Sequence, residues 1–463
     1  MPMTLQQDMP MIHLWFPSAL LPEGWAVAVR LTLSDGIITR VETNAQPSAG
    51  DERHGIALPG LPNLHSHAFQ RAMAGLTEHG DGAGRDDFWT WREAMYRFVD
   101  RLGPDDMEAI AALAFAEMLE TGFTRVGEFH YLHHDPAGLP YADPAELATR
   151  IIAAAASTGI GLTLLPTFYA HANFGGLAPT PGQRRFITDL NGFARLLDAT
   201  RRAAASLPGT VVGVAPHSLR AVTPDELREV VPLAGSSPVH IHVAEQIREV
   251  EDCLEWSGQR PVEWLLDNQP VDARWCLIHA THTTATERSG IASRGAVVGL
   301  CPITEANLGD GVFDTKAFQA AGGQFGVGTD SNVLINAAEE LRQLEYTQRL
   351  TARRRNVLAS GPHLSTGRTL FEASYRAGSR ALGVPGGGLA AGHSADIVTL
   401  TSNHPAMVAR IDDRLIDSWI FSARHGVIDS VWVRGQKVVV GGRHVARETF
   451  EQRFRTTLTR FLT

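Results

Sequence analysis

The chain has 463 residues, of which 44% are hydrophobic and 20% are charged, and its formal net charge is −9. A chain of this length can bury a large core and is expected to form one large domain with a smaller one. Because acidic residues outnumber basic ones and no basic run occurs, we do not expect nucleic acid or anionic membrane surfaces as partners.

Three features of the sequence bear on the cellular compartment. The N-terminal segment MPMTLQQDMPMIHLWFPSALL lacks a basic region followed by an apolar core and a small-residue cleavage site. No apolar run approaches the ~20 residues of a membrane-spanning helix. The three cysteines are an odd number and lie far apart: Cys253, Cys276 and Cys301. We therefore expect reduced thiols in a cytoplasmic protein.

In chain order, the first predicted elements are short strands. The segment WAVAVRLTLSDGIITRVE is rich in residues that favour β-structure, and its SDG is a turn signal. This β-rich segment covers residues 1–57 and would form the first part of a small β-sandwich.

Residues 58–384 alternate short apolar runs with helical stretches. The runs are TRVGEF, GLTLLPTFY, TVVGVAP, PVHIHVAE, WCLIHA, GAVVGLCP and QFGVGTD. Amphipathic segments such as PDDMEAIAALAFAEMLETG and TPDELREVVPLA lie between them. Strands that alternate with helices over roughly 330 residues imply a parallel sheet of the α/β class. This many repeats predict a closed (β/α)₈ barrel of the TIM type.

Residues 385–463 return to the β-rich character of the N-terminal segment. ADIVTL and VIDSVWVRGQKVVVGGRH predict strands joined by glycine-rich turns, and a helix follows them at the C-terminus. We predict that the two β-rich ends pair into one discontinuous β-sandwich beside the barrel.

Polar side chains follow several of the apolar runs. They are His65, His67, His242, Glu245, His279 and Asp330. Active sites of such barrels lie at the carboxyl ends of the strands, so we expect these side chains to meet. Imidazole and carboxylate groups suit a divalent transition metal. His65 and His67 share one strand face, but so do His240 and His242, and spacing alone leaves open which member of the second pair binds.

These residues carry a resemblance to the amidohydrolase superfamily. HSH after the first barrel strand, HIHVAE after the fifth, and the later histidine and aspartate resemble its mononuclear deaminase branch. The resemblance implies a metal ion held by His65, His67, His242 and Asp330. It further implies that Glu245 moves protons, while His279 and Asp330 orient the attacking water. For His240, we favour packing in the strand over a role as a ligand.

The number of metal ions follows from the lysines. The chain has only Lys316 and Lys437. Binuclear members of the superfamily use a carboxylated lysine from the fourth strand, and no lysine lies between the HSH and HIHVAE motifs. The resemblance therefore implies one divalent ion per subunit, with Zn²⁺ as the first choice and Fe²⁺ or Mn²⁺ as alternatives.

Other segments indicate the substrate. NLHSHAFQRAMAGL, DFWTWREAMYRF, GEFHYLHHD, HSLRAVTP and TEANLGDG resemble the formimidoylglutamate deiminases over nearly the whole chain. That family hydrolyses N-formimidoyl-L-glutamate to N-formyl-L-glutamate and ammonia in histidine degradation. The resemblance implies a homodimer and substrate contacts from Gln70, Arg92, Tyr131, His217 and Arg220. Such a substrate is small and acidic, and its two carboxylates match arginine side chains, which bind carboxylates bidentately.

Two alternative functions fit parts of the same pattern. A related deaminase or chlorohydrolase could act on a purine, pyrimidine or triazine, but a neutral heterocycle does not require two arginines. A non-catalytic scaffold on the same barrel would be expected to lose metal ligands, whereas this chain has the whole set. The cluster EFHYLHHD offers His130, His133 and His134 as a second metal site. Without further ligands at suitable spacing, we interpret these three as supporting or packing residues.

Overall fold

The computed structural model describes residues 11–80, 86–362 and 364–462. Residues 1–10, on which the expectation about a targeting segment partly falls, lie outside these ranges. Within them, every helix is too short or too polar to cross a membrane. The three cysteines are buried and form no disulfide.

The N-terminal segment forms five strands, as its composition predicts. They are β1 (Ile12–Leu21), β2 (Gly24–Ser34), β3 (Ile37–Glu42), β4 (Glu52–Arg53) and β5 (Ile56–Pro59). β1 and β2 are antiparallel, as are β2 and β3, and β1 also pairs in parallel with β4 and β5. The predicted SDG turn joins β2 to β3, with φ of +52° at Asp35 and +81° at Gly36. Two successive positive φ values are the geometry of a tight type I′ hairpin.

Nine further strands form the barrel. They are β6 (Leu61–Ser66), β7 (Phe123–His130), β8 (Gly161–Phe168), β9 (Val211–Val212), β10 (Ala215–Pro216), β11 (Val239–Val243), β12 (Trp275–His279), β13 (Val297–Leu300) and β14 (Gln324–Val327). All pair in parallel, in the orders β10-β8-β7-β6 and β11-β12-β13-β14, with β9 beside β8. Parallel bridges from Val214 to Val239 and from Ser66 to Asp330 join the two groups at both seams. With β9 and β10 sharing the fourth position, the predicted eight-position closed barrel is confirmed.

Helices cover the outside of the barrel. They are α1 (Phe88–Val99), α2 (Pro104–Glu120), α3 (Glu146–Thr158), α4 (Leu190–Ala204), α5 (Pro224–Val230), α6 (Ile247–Ser257), α7 (Pro261–Asn268), α8 (Ala285–Arg294), α9 (Pro302–Leu308), α10 (Thr315–Ala320), α11 (Ala337–Ala352), α12 (Thr366–Ala381), α13 (Asp413–Phe421) and α14 (Arg447–Leu462). Several begin at a capping side chain. Asp87 accepts hydrogen bonds from the first turn of α1, and Thr223 starts α5 in a capping box with Glu226.

The last four strands return the chain to the N-terminal sheet. They are β15 (Ile397–Leu400), β16 (Ile428–Val433), β17 (Gln436–Val440) and β18 (Arg443–His444). β15 pairs antiparallel with β5, so strands from both ends form one nine-stranded sheet. Its buried side chains, including Phe16, Leu31, Ile397 and Trp432, form a core separate from that of the barrel.

The structure differs from the predicted domain boundaries in two details. The remaining boundaries stay a prediction. β5 begins at residue 56 and ends at residue 59, so the predicted boundary at residue 57 falls inside a strand of the terminal sheet. The C-terminal helix α14 packs on α2 of the barrel, where Arg447 pairs with Glu117 and Glu120. The position of this helix directly after β18 predicts that it belongs with the sheet, but its contacts are with the barrel.

Candidate active site

Four buried side chains meet at the carboxyl ends of β6, β11 and β14. The Nε2 atom of His65 lies 3.1 Å from Nε2 of His242 and 3.4 Å from Oδ1 of Asp330. Nε2 of His67 lies 3.4 Å from the same aspartate oxygen. None of the four residues is more than 6% exposed. The structure thus brings together the four side chains that the sequence predicts as metal ligands.

The hydrogen bonds behind these rings leave their inner nitrogens free to bind a cation. Nδ1 of His67 donates to the carbonyl of Phe129 at 2.9 Å, and Nδ1 of His242 donates to the carbonyl of His217 at 3.0 Å. Their Nε2 atoms therefore carry lone pairs, which face the cluster centre. Burial lowers the pKa of His65 to about 3, so this ring is neutral as well. Converging imidazole lone pairs beside a carboxylate fit a divalent metal ion.

His240 lies outside this cluster, although it shares a strand face with His242. It sits deeper in the barrel, where Nε2 donates to the carbonyl of Ala381 at the end of α12, at 2.7 Å. Burial lowers its pKa to about 4, and it acts as a neutral donor. Depth in the barrel, which sequence spacing does not encode, separates the two histidines.

The EFHYLHHD histidines also lie apart from the four ligands. His133 and His134 donate from Nε2 to the carbonyls of Thr167 and Ile187, at 2.8 Å and 2.7 Å. His130 is buried beside His133, with ring centroids 5.5 Å apart. In the described ranges, none of the three belongs to a group of side chains that could hold a metal. That they serve as supporting or packing residues stays a prediction.

Glu245 and His279 complete the inner end of the site. Oε1 of Glu245 lies 3.6 Å from Nε2 of His279, which lies 3.8 Å from Oδ2 of Asp330. Burial raises the pKa of Glu245 to about 7. A carboxyl group with a pKa near neutrality can both accept and return a proton.

Carboxylates on both sides of His279 decide its charge. Nδ1 faces Oε1 of Glu305 at 3.3 Å, while Nε2 faces Glu245 and Asp330. Burial opposes a charged ring, but these carboxylates outweigh it and raise the pKa of His279 to about 10. The surroundings thus favour an imidazolium, which the sequence could not determine. Glu305 was missed as a partner, although it stands in the TEANLGDG motif.

The backbone is strained where these strands end. Ala244, His279 and Asp330 have φ of +52°, +66° and +45°, in the left-handed region that residues with a Cβ seldom adopt. Such strain persists only where the surrounding structure holds it, and it clusters at functional sites.

Two side chains hold the strained turns. Glu249 accepts hydrogen bonds from the backbone N–H groups of Ala244 and Glu245, each at 3.1 Å. Asn332 donates to the carbonyl of Asp330 at 3.1 Å and bonds to the backbone and side chain of the HSH turn. Neither residue was predicted from sequence. A signal for Glu249 exists in hindsight, because it lies four residues after Glu245 on the first turn of α6.

A pocket opens above the cluster, and all five predicted substrate residues line it: Gln70, Arg92, Tyr131, His217 and Arg220. Nε2 of Gln70 donates to the hydroxyl of Tyr131 at 2.8 Å. Its Oε1 is buried and has no partner among the described residues. The roles of these five in substrate binding stay predictions, but their placement allows them.

Three guanidinium groups surround the indole of Trp89 at this pocket. Those of Arg92, Arg248 and Arg220 lie 4.5, 4.8 and 5.8 Å from a ring centroid. Arg220 is only 4% exposed, and its nearest carboxylate, Oε2 of Glu249, lies 4.0 Å from its Nε. Trp89 and Arg248 were not predicted. One side of the pocket is therefore cationic, while the metal-ligand end is rich in carboxylates.

Gly328→Ala is expected to disturb the ligand cluster from behind. An added Cβ would lie 2.7 Å from both the backbone N and O of His65, so β6 and β14 would have to separate. Overpacking of this kind costs about 1–3 kcal/mol. We expect a lower melting temperature together with reduced metal content of the purified protein. Gly50→Ala, where an added Cβ meets nothing within 4 Å, is the control. Full metal content and an unchanged melting temperature in Gly328→Ala would contradict this account.

Comparison with known families gives two matches along the chain. Residues 56–438 match the Amidohydrolase family. Residues 11–55 match the family described as "Formimidoylglutamate deiminase HutF, N-terminal domain". Together the two matches cover both the barrel and most of the terminal sheet.

Among curated relatives, the formimidoylglutamate deiminase of Pseudomonas aeruginosa is 49% identical over 438 residues, which cover 94% of this chain and 96% of the relative. The 8-oxoguanine deaminase of the same organism is 28% identical, with 90% of each chain covered.

Solved structures give the same picture of the fold. An amidohydrolase from Brucella melitensis superimposes with a TM-score of 0.94 at 54% identity, covering 98% of this chain and all of its own. An adenosine deaminase from Xanthomonas campestris with bound zinc has a TM-score of 0.78 at 21% identity, with 96% and 98% of the two chains covered. At that identity, the likeness concerns the fold alone.

Proposed function

The chain belongs to the amidohydrolase family, and from this membership and its close deiminase relative we propose that it hydrolyses N-formimidoyl-L-glutamate to N-formyl-L-glutamate and ammonia in histidine degradation. The observation that supports this substrate is the pocket, whose two sides differ in charge. Arg92 and Arg220 supply charge for two carboxylates, and a donor cluster suited to hydrolysis lies at the other end. The substrate has the same polarity, with carboxylates at one end and an amidine at the other.

The enzyme is metal-dependent, as its family implies. His65, His67, His242 and Asp330 would hold one divalent ion, for which we propose Zn²⁺, with Fe²⁺ or Mn²⁺ as alternatives. Such an ion, when bound, lowers the pKa of water and so supplies a nucleophile at neutral pH. The neutral, oriented imidazoles described above support this ligand set. Elemental analysis of the purified protein identifies the ion.

Glu245 transfers the proton of the reaction from water to the leaving nitrogen. It accepts a proton from the attacking water, while His279 and Asp330 orient that water through the contacts at Nε2 and Oδ2. Addition of the water oxygen to the formimidoyl carbon gives a tetrahedral centre. Glu245 then delivers that proton to the terminal nitrogen, and the C–N bond breaks. The hydroxyl proton of the tetrahedral centre leaves with the ammonia as ammonium, so the carbon keeps the oxygen as a formyl carbonyl.

The substrate is held at the opposite side of the pocket. The planar guanidinium groups of Arg92 and Arg220 match its carboxylates bidentately. Gln70, Tyr131 and His217 add polar contacts between the two ends. In the described structure, the Nε atoms of both arginines are buried without a hydrogen-bond partner, so each retains a donor for an acidic ligand.

Ammonia release from three compounds tests this function. N-formimidoyl-L-glutamate is expected to be hydrolysed with the highest kcat/KM, N-formimidoyl-L-aspartate less efficiently because one methylene is missing, and guanine not at all. The 28% identity to an 8-oxoguanine deaminase makes a purine the alternative substrate. Turnover of guanine without turnover of the amidines would favour that alternative. Near-zero metal content with no turnover would favour a scaffold.

We further propose a cytoplasmic homodimer. Three buried thiols that form no disulfide in the described structure suit a reducing compartment. The dimer rests on family resemblance alone, and sedimentation equilibrium of the purified protein tests it.

A further inference from the structure

Two tyrosines of the pocket have no role in the function proposed above. Tyr169 directly follows β8, at the carboxyl end of a barrel strand, and Tyr96 lies on α1. Both line the pocket together with Arg92 and Arg220, and Tyr169 is buried. The ring of Tyr169 packs against that of His217, with centroids 4.4 Å apart. The two tyrosines therefore share one cavity with the guanidinium groups that are proposed to hold the substrate.

Gln183 fixes the direction of the Tyr169 hydroxyl group. Oε1 of Gln183 accepts a hydrogen bond from the backbone N–H of Thr180 at 2.7 Å, so the side-chain amide cannot be turned round without losing that bond. Its Nε2 therefore faces Tyr169 and donates to the hydroxyl oxygen at 2.8 Å. Because the oxygen of Tyr169 is the acceptor in this contact, its phenolic proton stays available to another acceptor.

Tyr96 adds a second hydroxyl group at the same place. Burial, and then the neighbouring Tyr169, raise the pKa of Tyr96, although Arg92 and Arg220 act in the opposite direction. Tyr96 is thus a neutral phenol, and the guanidinium of Arg92 lies 5.6 Å from its ring centroid. A contact between the two hydroxyls uses one of their protons at most, so at least one proton remains. Within the described ranges, no carboxylate or carbonyl of the protein accepts it.

A ligand with two carboxylates supplies the missing acceptor. The two oxygens of a carboxylate offer about four lone-pair sites, which is more than one guanidinium fork occupies. We propose, resting on the function proposed above, that the hydroxyl pair of Tyr96 and Tyr169 is a further substrate-binding group, which donates a hydrogen bond to one of the carboxylates held by Arg92 and Arg220. The pair adds a donor to this side of the pocket without adding charge.

Truncated substrates test whether the hydroxyl pair contacts a carboxylate. N-formimidoyl-4-aminobutanoate lacks the α-carboxylate of N-formimidoyl-L-glutamate, and N-formimidoyl-L-2-aminobutanoate lacks the side-chain carboxylate. The double variant Tyr96→Phe/Tyr169→Phe removes both hydroxyls and keeps both rings. We expect it to lower kcat/KM for the complete substrate by about tenfold or more, mainly through KM, because a hydrogen bond to a charged group is lost. For at least one truncated acid the loss should stay within about twofold, because that acid lacks the carboxylate that the pair binds. A truncated acid that is not hydrolysed is compared through its inhibition constant.

Further variants separate this contact from a structural effect. Tyr346→Phe removes the hydroxyl of an exposed tyrosine on α11 and should leave the values for all three compounds unchanged. Gln183→Met should lower kcat/KM for the complete substrate in the wild-type background but not further in the double variant, since Gln183 acts through the hydroxyl of Tyr169. Tyr169→Phe alone replaces the double variant if the latter does not fold, as judged by its melting temperature.

Two results would overturn the proposal. One is an unchanged kcat/KM for the complete substrate in the folded variant, and the other is an equal loss for all three compounds. Wild-type turnover of N-formimidoyl-L-glutamate is measured alongside, and its absence counts against the proposed function instead. In that case titration calorimetry with N-formyl-L-glutamate tests the carboxylate contact by itself, and equal affinities of the wild type and the variant would overturn it.

Discussion

Glu245→Gln is expected to lower kcat by about a thousandfold, because the variant can neither accept the proton of water nor return it to the leaving nitrogen. Glutamine has nearly the same shape, and the backbone of residue 245 stays bonded to Glu249. Glu245 is not among the four proposed ligands, so metal content should be unchanged. Steady-state ammonia release and elemental analysis of the same preparation give both values.

Glu251→Gln is the matched control for that variant. It makes the same substitution at an exposed position of α6, two residues after Glu249, and should keep wild-type kcat. Near-wild-type turnover in Glu245→Gln would end the assignment of proton transfer to this carboxylate. Loss of metal together with activity would instead point to a role in holding the ion.

Arg220→Met is expected to reduce kcat/KM by about 10²-fold or more, mainly through KM, while metal content is retained. Truncating one partner of a buried, hydrogen-bonded charge pair costs about 2–5 kcal/mol, which covers this loss. Arg220 is almost fully buried, and methionine fills a similar volume without the charge. The measurement is kcat/KM for N-formimidoyl-L-glutamate.

Arg228→Met on the surface of α5 is the control, since its side chain is 65% exposed. Arg92→Met should act in the same direction as Arg220→Met, because its guanidinium lies on the same indole. Unchanged kcat/KM in both pocket variants would remove the two-carboxylate explanation of substrate binding.

The ligand cluster was predictable because it follows from strand order. In a closed parallel barrel the carboxyl ends of all strands face one point, so His65 and Asp330 meet although most of the barrel lies between them in sequence. Strand order does not predict the positions of Arg92 and Gln70, because Arg92 lies on a helix and Gln70 on a short 3₁₀ turn. Resemblance to a family placed them in the pocket.

Other parts of the site lay beyond the sequence pattern for physical reasons. Glu305 belongs to α9 and Gln183 to the loop after β8, and the path of a loop is not written in hydrophobic periodicity. Glu249 accepts hydrogen bonds from backbone N–H groups. Nearly every residue type has such a group, so the sequence carries no signal for this contact. The strain at Ala244 and His279 depends on such contacts and becomes visible only with dihedral angles.

The pairing of β5 with β15 also has a consequence for synthesis on the ribosome. β5 ends at residue 59, and its partner begins at residue 397. At about 5–20 residues per second, roughly 20 to 70 seconds pass before the partner strand is made. Throughout that time β5 presents an unpaired strand edge, the kind of surface that recruits other chains. The barrel can close before the terminal sheet is complete. The edge of β5 is therefore covered only after β15, one of the last strands to be translated, has been made.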